Sequence, residues 1–156
     1  MDSALIPRIA ERLLARKQWL ACAESCTGGM IAQLLTSVAG SSEWFERGIV
    51  TYSNRAKIEL LGVPKDVIDR HGAVSRQCAE AMALGLQQRA PVQWAISVTG
   101  IAGPGGGTND KPVGTVWIGL GHAGQAEAKH FLFNGDRDGI RRQSAEAALS
   151  MLDARL

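Results

Sequence analysis

Apolar residues recur near the start of the chain at Ile6, Ile9, Ala10, Leu13 and Leu14, with Arg8, Glu11, Arg12 and Arg16 mostly between them. That spacing returns to one face every helical turn and predicts an amphipathic helix over about residues 3–17. The pattern then changes. WLACAES is a short apolar run that predicts a buried strand. Thr27-Gly28-Gly29 is a tight polar turn opening MIAQLLTSV, whose spacing predicts a second helix. Strand, turn and helix in succession make an α/β unit. SEWFER reads as a short helix capped by Ser41 or Ser42. GIVTY reads as a strand over Gly48 to Tyr52, and RAKIELLG as a helix capped by Asn54 and ended by Gly62 and Pro64. Ser75 starts a long helix, RQCAEAMALGLQQR, which Pro91 stops; its alanines and Gly85 suit close packing against a sheet. WAISVTG, from Trp94 to Gly100, predicts a strand. VGTVWIGLG and AEAKHFLFN, joined at about Ala123-Gly124-Gln125, predict an antiparallel hairpin. A closing helix runs from Asp136 to Leu156, with Ile140, Ser144, Ala147, Ala148 and Met151 along one side.

These elements predict an α/β fold: a three-layer α/β/α sandwich whose mixed, mostly parallel sheet ends in an antiparallel hairpin. No repeat and no linker interrupts the chain, so residues 1–156 are expected to form one domain. Apolar residues are 46% of the chain and charged residues 21%, a globular mix that argues against disorder. A net charge of +2 is too weak to predict a nucleic-acid surface. Cys22, Cys26 and Cys78 are an odd set with no CxxC spacing, and they read as reduced thiols. Charges interrupt the N-terminal segment, and no apolar run approaches the roughly 20 residues needed to span a bilayer. A cytoplasmic protein without membrane attachment is the expectation. The N-terminal helix together with Trp44 and Phe45 offers apolar surface for a homodimer, or simply core.

Three polar or glycine-rich loops each follow a predicted strand: Glu24 to Gly29, Thr99 to Gly107, and Asn134 to Arg142. Ligands of open α/β sheets gather at the carboxyl ends of strands, so all three can face one crevice. In the first loop, hydroxyls and the N–H groups of Thr27, Gly28 and Gly29 can receive an anion, or Thr27 can be an ordinary helix cap. The second loop lacks the G-K-[ST] of a phosphate loop, and a G-x-G-x-x-G counted from Gly103 would need glycine where Thr108 stands. It fits either a flexible crossing or close backbone approach to a ligand. In the third, Arg137 and Arg141 are four apart and share a helix face. Their forks suit a phosphate or carboxylate, although Asp136 and Asp138 offset their charge and a solvated helix start explains them as well.

Ser41, Ser42, Tyr52 and Lys57 lie close together in AGSSEWFERGIVTYSNRAK. Serine is a weak nucleophile until a neighbouring base takes its proton, and lysine is such a base once desolvation lowers its pKa. The histidines provide no alternative: His71 lies in a turn-like RHG, His122 in a glycine-rich turn and His130 in an alternating strand. None has the clustered spacing of a metal site.

Taken together, AESCTGG, AGSSEWFERGIVTYSNRAK, GAVS at Gly72 to Ser75, SVTGIAGPGGGTNDKPVGTVW and FNGDRDGIRRQ resemble the CinA C-terminal domain family. The resemblance runs from about Ile6 to Leu152 in consistent order, and a stand-alone version of the domain is expected. It implies amide hydrolysis without metal or organic cofactor. Nicotinamide mononucleotide, the small-molecule substrate, would give nicotinate mononucleotide and ammonia in pyridine-nucleotide recycling for NAD metabolism. On this resemblance Ser42 is the candidate nucleophile, with Tyr52 and Lys57 activating or orienting it. Ser25, Thr27, Gly28, Gly29, Thr99, Gly100, Arg137 and Arg141 are the candidate substrate-binding residues. A Ser25 nucleophile on a strand-to-helix turn also makes chemical sense. Backbone N–H groups after Ser42, or in the Thr99-Gly100 turn, are candidates for an oxyanion site. Two other readings stand beside the amidase: a nucleotide-binding module without catalysis, and a competence-related accessory protein. The second lacks any basic stripe to support it.

Overall fold

The computed structural model describes all 156 residues. Six helices surround a five-stranded sheet. In chain order they are α1 (Leu5–Arg16), β1 (Leu20–Glu24), α2 (Met30–Thr36), β2 (Phe45–Val50), α3 (Asn54–Leu61), α4 (Lys65–His71), α5 (Arg76–Arg89), β3 (Trp94–Gly100), β4 (Thr115–His122), β5 (Gln125–Leu132) and α6 (Arg137–Arg155). The strand order is β2-β1-β3-β4-β5. Strands β1, β2 and β3 run parallel, and β4 and β5 complete the sheet by antiparallel pairing. Because β5 reverses direction twice relative to β3, the carboxyl ends of β1, β2, β3 and β5 all lie at one end of the sheet.

The alternation of side chains across each strand builds the two outer layers. On one face, Leu20 and Cys22 of β1, Trp94, Ile96 and Val98 of β3, and Val116, Ile118 and Leu120 of β4 pack under α1, α2 and α6. On the other, Ala21 and Ala23 of β1 and Ala95 of β3 pack under α3, α4 and α5. This second face is made of small side chains. Ser97 and Gly119 continue it, and a Cβ on Gly119 would stand 2.7 Å from the Ala79 carbonyl of α5. Helix α5 therefore rests almost on the backbone of the sheet.

Gly85 does the same for the neighbouring helix. A Cβ there would lie 1.8 Å from the carbonyl oxygen of Leu61, so α5 and α3 touch backbone to backbone at that point. The expected packing of Gly85 against the sheet is thus replaced by packing against α3.

Several local expectations change. SEWFER is not a helix: only Ser41–Glu43 form a single 3₁₀ turn, and Phe45, Glu46 and Arg47 already belong to β2. Pairing with β1 overrides the local helical pattern. Ser53, not Asn54, caps α3 by accepting from the Ala56 N–H at 3.0 Å. Helix α4 was hidden behind Pro64, which reads as a terminator of α3 yet stands at the N-cap of α4. His71 lies in the last turn of that helix. Trp44 is 1% exposed, and Leu5, Ile6, Ile9, Ala10 and Leu13 of α1 are buried in the chain's own core. Leu14 of the same helix stays exposed and Phe45 is half-buried. No helix is long and apolar enough to cross a membrane.

Glu24 ends β1 fully buried. Its carboxylate accepts from the N–H groups of Ile31 at 2.9 Å and Ala32 at 3.0 Å, joining β1 to the first turn of α2. The positive end of the helix and two N–H donors stabilise the charge in place of water.

Two stability measurements check this account. Gly85→Ala is expected to destabilise the fold by about 1–3 kcal/mol in urea unfolding, because overpacking outweighs the gain in helix propensity. Glu24→Ala is expected to lower it by about 2 kcal/mol or more, since two buried donors lose their acceptor. Unchanged midpoints would show that these contacts carry little of the packing.

Candidate active site

Ser25 follows β1 directly, and its N–H still donates to the Val98 carbonyl of β3 at 3.0 Å. The backbone at Ser25 is therefore an extension of the sheet. Strand alternation turns Ser25 to the same face as Ala21 and Ala23, the face covered by α3 and α5, while Glu24 turns to α2. Thr51 extends β2 in the same way, donating to the Glu24 carbonyl at 2.8 Å. The cap at Ser53 then starts α3, which brings Lys57 back over the ends of β1 and β2.

Lys57 is 1% exposed. Its Nζ stands 2.9 Å from Ser25 Oγ, 2.9 Å from the Thr51 carbonyl and 3.4 Å from the Tyr52 carbonyl. Its salt-bridge partners number none, because no carboxylate approaches it. Burial lowers its pKa from the ordinary lysine value of 10.5, opposed by the nearby thiols of Cys78 and Cys26. Those thiols are themselves raised to about 11, chiefly by burial, and so stay protonated at neutral pH. A neutral lysine amine has two N–H donors and one lone pair. As an ammonium Lys57 donates to all three oxygens; once neutral, it keeps the two carbonyls as acceptors and its lone pair is free for the hydroxyl of Ser25.

Ser25 and Lys57 open into a cavity of about 310 Å³ at the carboxyl end of the parallel strands. That size holds a small ligand. Tyr52, Thr99, Gly100, Gly103 and Arg137 also line it. Thr99 Oγ1 donates to the Ala73 carbonyl at 2.9 Å, which fixes the turn before α5 against the end of β3. Arg137 donates to the Gly103 carbonyl at 2.7 Å and to Tyr52 Oη at 3.1 Å, at the exposed rim.

Several candidate residues lie elsewhere than the sequence reading expects. Ser42 does not meet Tyr52 and Lys57: it precedes β2 whereas they follow it, so the length of that strand separates them. At about 3.3 Å per residue this is close to 20 Å. The N–H after it, that of Glu43, already donates to the Gly40 carbonyl. Tyr52 touches Lys57 through its carbonyl, while its phenol turns outward, 61% exposed as a residue, to Arg137. Thr27, Gly28 and Gly29 do not line the cavity. Gly28 N–H closes the turn onto the Ser25 carbonyl, and the amides of the first α2 turn are taken by Glu24. Arg141, expected beside Arg137, instead donates to the carbonyls of Cys26 and Thr27. The Ile101 N–H, in the Thr99-Gly100 turn, donates to the Thr115 carbonyl.

Some lining residues carried no signal that was read from the sequence. Cys26, Asn54, Ala73, Val74, Ile101 and Ala102 all face the cavity. Ala73 and Val74 belong to the GAVS segment, whose Ser75 caps α5 by accepting from the Cys78 N–H.

A family model described as CinA C-terminal domain matches residues 2–156. The nicotinamide-nucleotide amidohydrolase PncC of Enterobacter agglomerans is 51% identical over 142 residues, 90% of this chain and 87% of that protein. The protein of the same name from Escherichia coli (strain K12) is 46% identical over 149 residues, 95% of this chain and 90% of that one. The crystal structure of the competence damage-inducible protein A from Klebsiella pneumoniae subsp. pneumoniae MGH 78578 superposes with a TM-score of 0.94 at 37% identity, covering 97% of this chain and 94% of that one. A buried serine–lysine pair at the end of a parallel sheet, within a fold and sequence matched over nearly their whole length, leads to one conclusion: the chain belongs to the CinA C-terminal domain family.

Proposed function

We infer that this chain hydrolyses the carboxamide of nicotinamide mononucleotide to a carboxylate, releasing ammonia, with Ser25 as nucleophile and Lys57 as base. The observation that carries the reading is the 2.9 Å approach of Lys57 Nζ to Ser25 Oγ inside the protein. Two relatives at 46% and 51% identity bear the name of that activity, which supports the choice of substrate. The product would re-enter pyridine-nucleotide recycling toward NAD.

The geometry supports the following steps. Lys57 takes the Ser25 proton as Oγ attacks the carboxamide carbon. A tetrahedral oxyanion forms. The Lys57 ammonium returns the proton to the amide nitrogen, the C–N bond breaks and ammonia leaves. Water then attacks the resulting ester as Lys57 takes its proton, the Lys57 ammonium returns that proton to Ser25 Oγ as the C–O bond breaks, and the acid leaves as the carboxylate with its proton lost to solvent. Burial serves this cycle because it favours the neutral amine between proton transfers. Arg137, at the exposed rim of the same cavity as Ser25, suits the substrate's phosphate. Tyr52 steadies that guanidinium instead of activating the serine. Thr99 and Gly100 shape the wall between the two ends.

Ammonia release from nicotinamide mononucleotide tests the reading. Ser25→Ala is expected to lower kcat roughly thousandfold or more with the fold intact, while Ser42→Ala leaves turnover as it is. Activity retained by Ser25→Ala would remove that residue as nucleophile. The pH dependence has a defined sign. Lys57 must be neutral to act, so kcat/KM is expected to rise with pH along a limb whose midpoint lies below 10.5, the ordinary lysine value. A profile that is flat across that range, or falls with rising pH, would exclude Lys57 as the base.

A further inference from the structure

Arg141 is the cation nearest the Ser25 turn that the proposed chemistry leaves without a task. It lies one helical turn after Arg137 on α6, on the opposite side of the sheet from Lys57. Its Nε donates to the Cys26 carbonyl at 3.1 Å and its Nη2 to the Thr27 carbonyl at 3.0 Å. The adjacent arginine, Arg142, is instead paired with Asp138 at 2.8 Å, so Asp138 does not compete for Arg141. Gly28 makes room for the contact: a Cβ there would stand 3.3 Å from Arg141 Nη2 at a backbone φ of +60°.

The two carbonyls belong to the peptides that follow the nucleophile. In a trans peptide the C=O and the N–H point in opposite directions. Drawing the Cys26 carbonyl toward α6 therefore directs the Thr27 N–H, on the same peptide, away from α6, and Cys26 itself lines the cavity that holds Ser25 and Lys57. The Thr27 N–H donates to no protein atom although the residue is fully buried, and the Cys26 N–H meets only its own thiol. Buried N–H groups without an acceptor are rare. At the residues immediately after a nucleophile they are donors waiting for an acceptor that forms in the reaction. The guanidinium adds charge as well as direction, since a cation on the carbonyl polarises the peptide and strengthens its N–H as a donor.

We propose that Arg141 is a positioning residue for the hydrolysis, holding the Cys26–Thr27 peptide so that the N–H groups after Ser25 receive the tetrahedral oxyanion. This rests on Ser25 being the nucleophile. It assigns different work to two arginines that sequence alone sets side by side: Arg137 meets the substrate, and Arg141 meets only the backbone that meets the reacting atoms.

The test is steady-state kinetics on nicotinamide mononucleotide with Arg141→Ala, Arg141→Lys and Ser25→Ala, each with a thermal melt. Removing one oxyanion donor lowers kcat by roughly a hundredfold or more. Arg141→Ala is expected to lose at least about tenfold in kcat, with KM within about threefold of the parent. Arg141→Lys, which keeps the charge but reaches one carbonyl at a time, is expected to fall between the two. Free guanidinium added to folded Arg141→Ala is expected to restore part of kcat, an effect that loss of stability alone would not produce. If Arg141→Ala does not fold, the lysine variant carries the same kcat-against-KM comparison. A rise in KM at constant kcat would overturn the proposal by making Arg141 a substrate contact, with the Ser25 assignment intact. Unchanged kinetics in both arginine variants would overturn it as well. No turnover by the parent, or full turnover by Ser25→Ala, would remove the Ser25 reading and this role with it.

Discussion

The approach of one buried amine to one hydroxyl, Lys57 Nζ to Ser25 Oγ at 2.9 Å, organises the carboxyl end of this sheet. An amine in that position is unfavourable for stability, because burial opposes its charge and no carboxylate compensates. It persists because the surroundings over-determine it. The Thr51 and Tyr52 carbonyls accept its hydrogens, Ser53 fixes the start of α3, and the glycine contact between α5 and α3 fixes how deep that helix sits. The small side chains of Ala21, Ala23 and Ala95 let α5 approach the sheet in the first place. Packing on that face and chemistry at its edge are thus one problem.

Fold class was legible because it rests on periodicity. Long helices and buried strands announce themselves through repeated apolar positions, and α1, α5, β3, the hairpin and α6 were all visible that way. What failed was local. Phe45 and Arg47 sit in a stretch whose composition suits a helix, yet pairing with β1 makes it a strand. Helix α4 is seven residues long and begins at a proline, so its signals were absorbed into the end of α3.

The candidate site was legible in its parts more than in its assembly. Ser25, Tyr52, Lys57, Thr99, Gly100 and Arg137 were all named from sequence, and all line one cavity. The pairing of Ser42 with Lys57 rested on the resemblance of AGSS and on nearness along the chain. In a parallel sheet that is the wrong measure. Residues at the carboxyl ends of different strands meet, so Ser25 after β1 and Lys57 after β2 are neighbours across 32 positions of sequence. Arg137 and Arg141 were inseparable for a related reason: four residues apart on one helix, they differ only in which loop each reaches.

The alternation at the end of β1 has a consequence for how this chain tolerates length change. Glu24 and Ser25 are consecutive, and the pleat sends one to α2 and the other to α3. Deleting or adding a single residue within β1 would exchange their faces. The carboxylate would then stand against Lys57, form an ion pair and hold the amine protonated, while the first turn of α2 would face a hydroxyl too short to span both amides. Such a chain could keep its composition, its net charge and most of its core and still have traded a base for a salt bridge. A one-residue length change in this chain is therefore expected to cost more within the five residues of β1 than in the loops at the far end of the sheet.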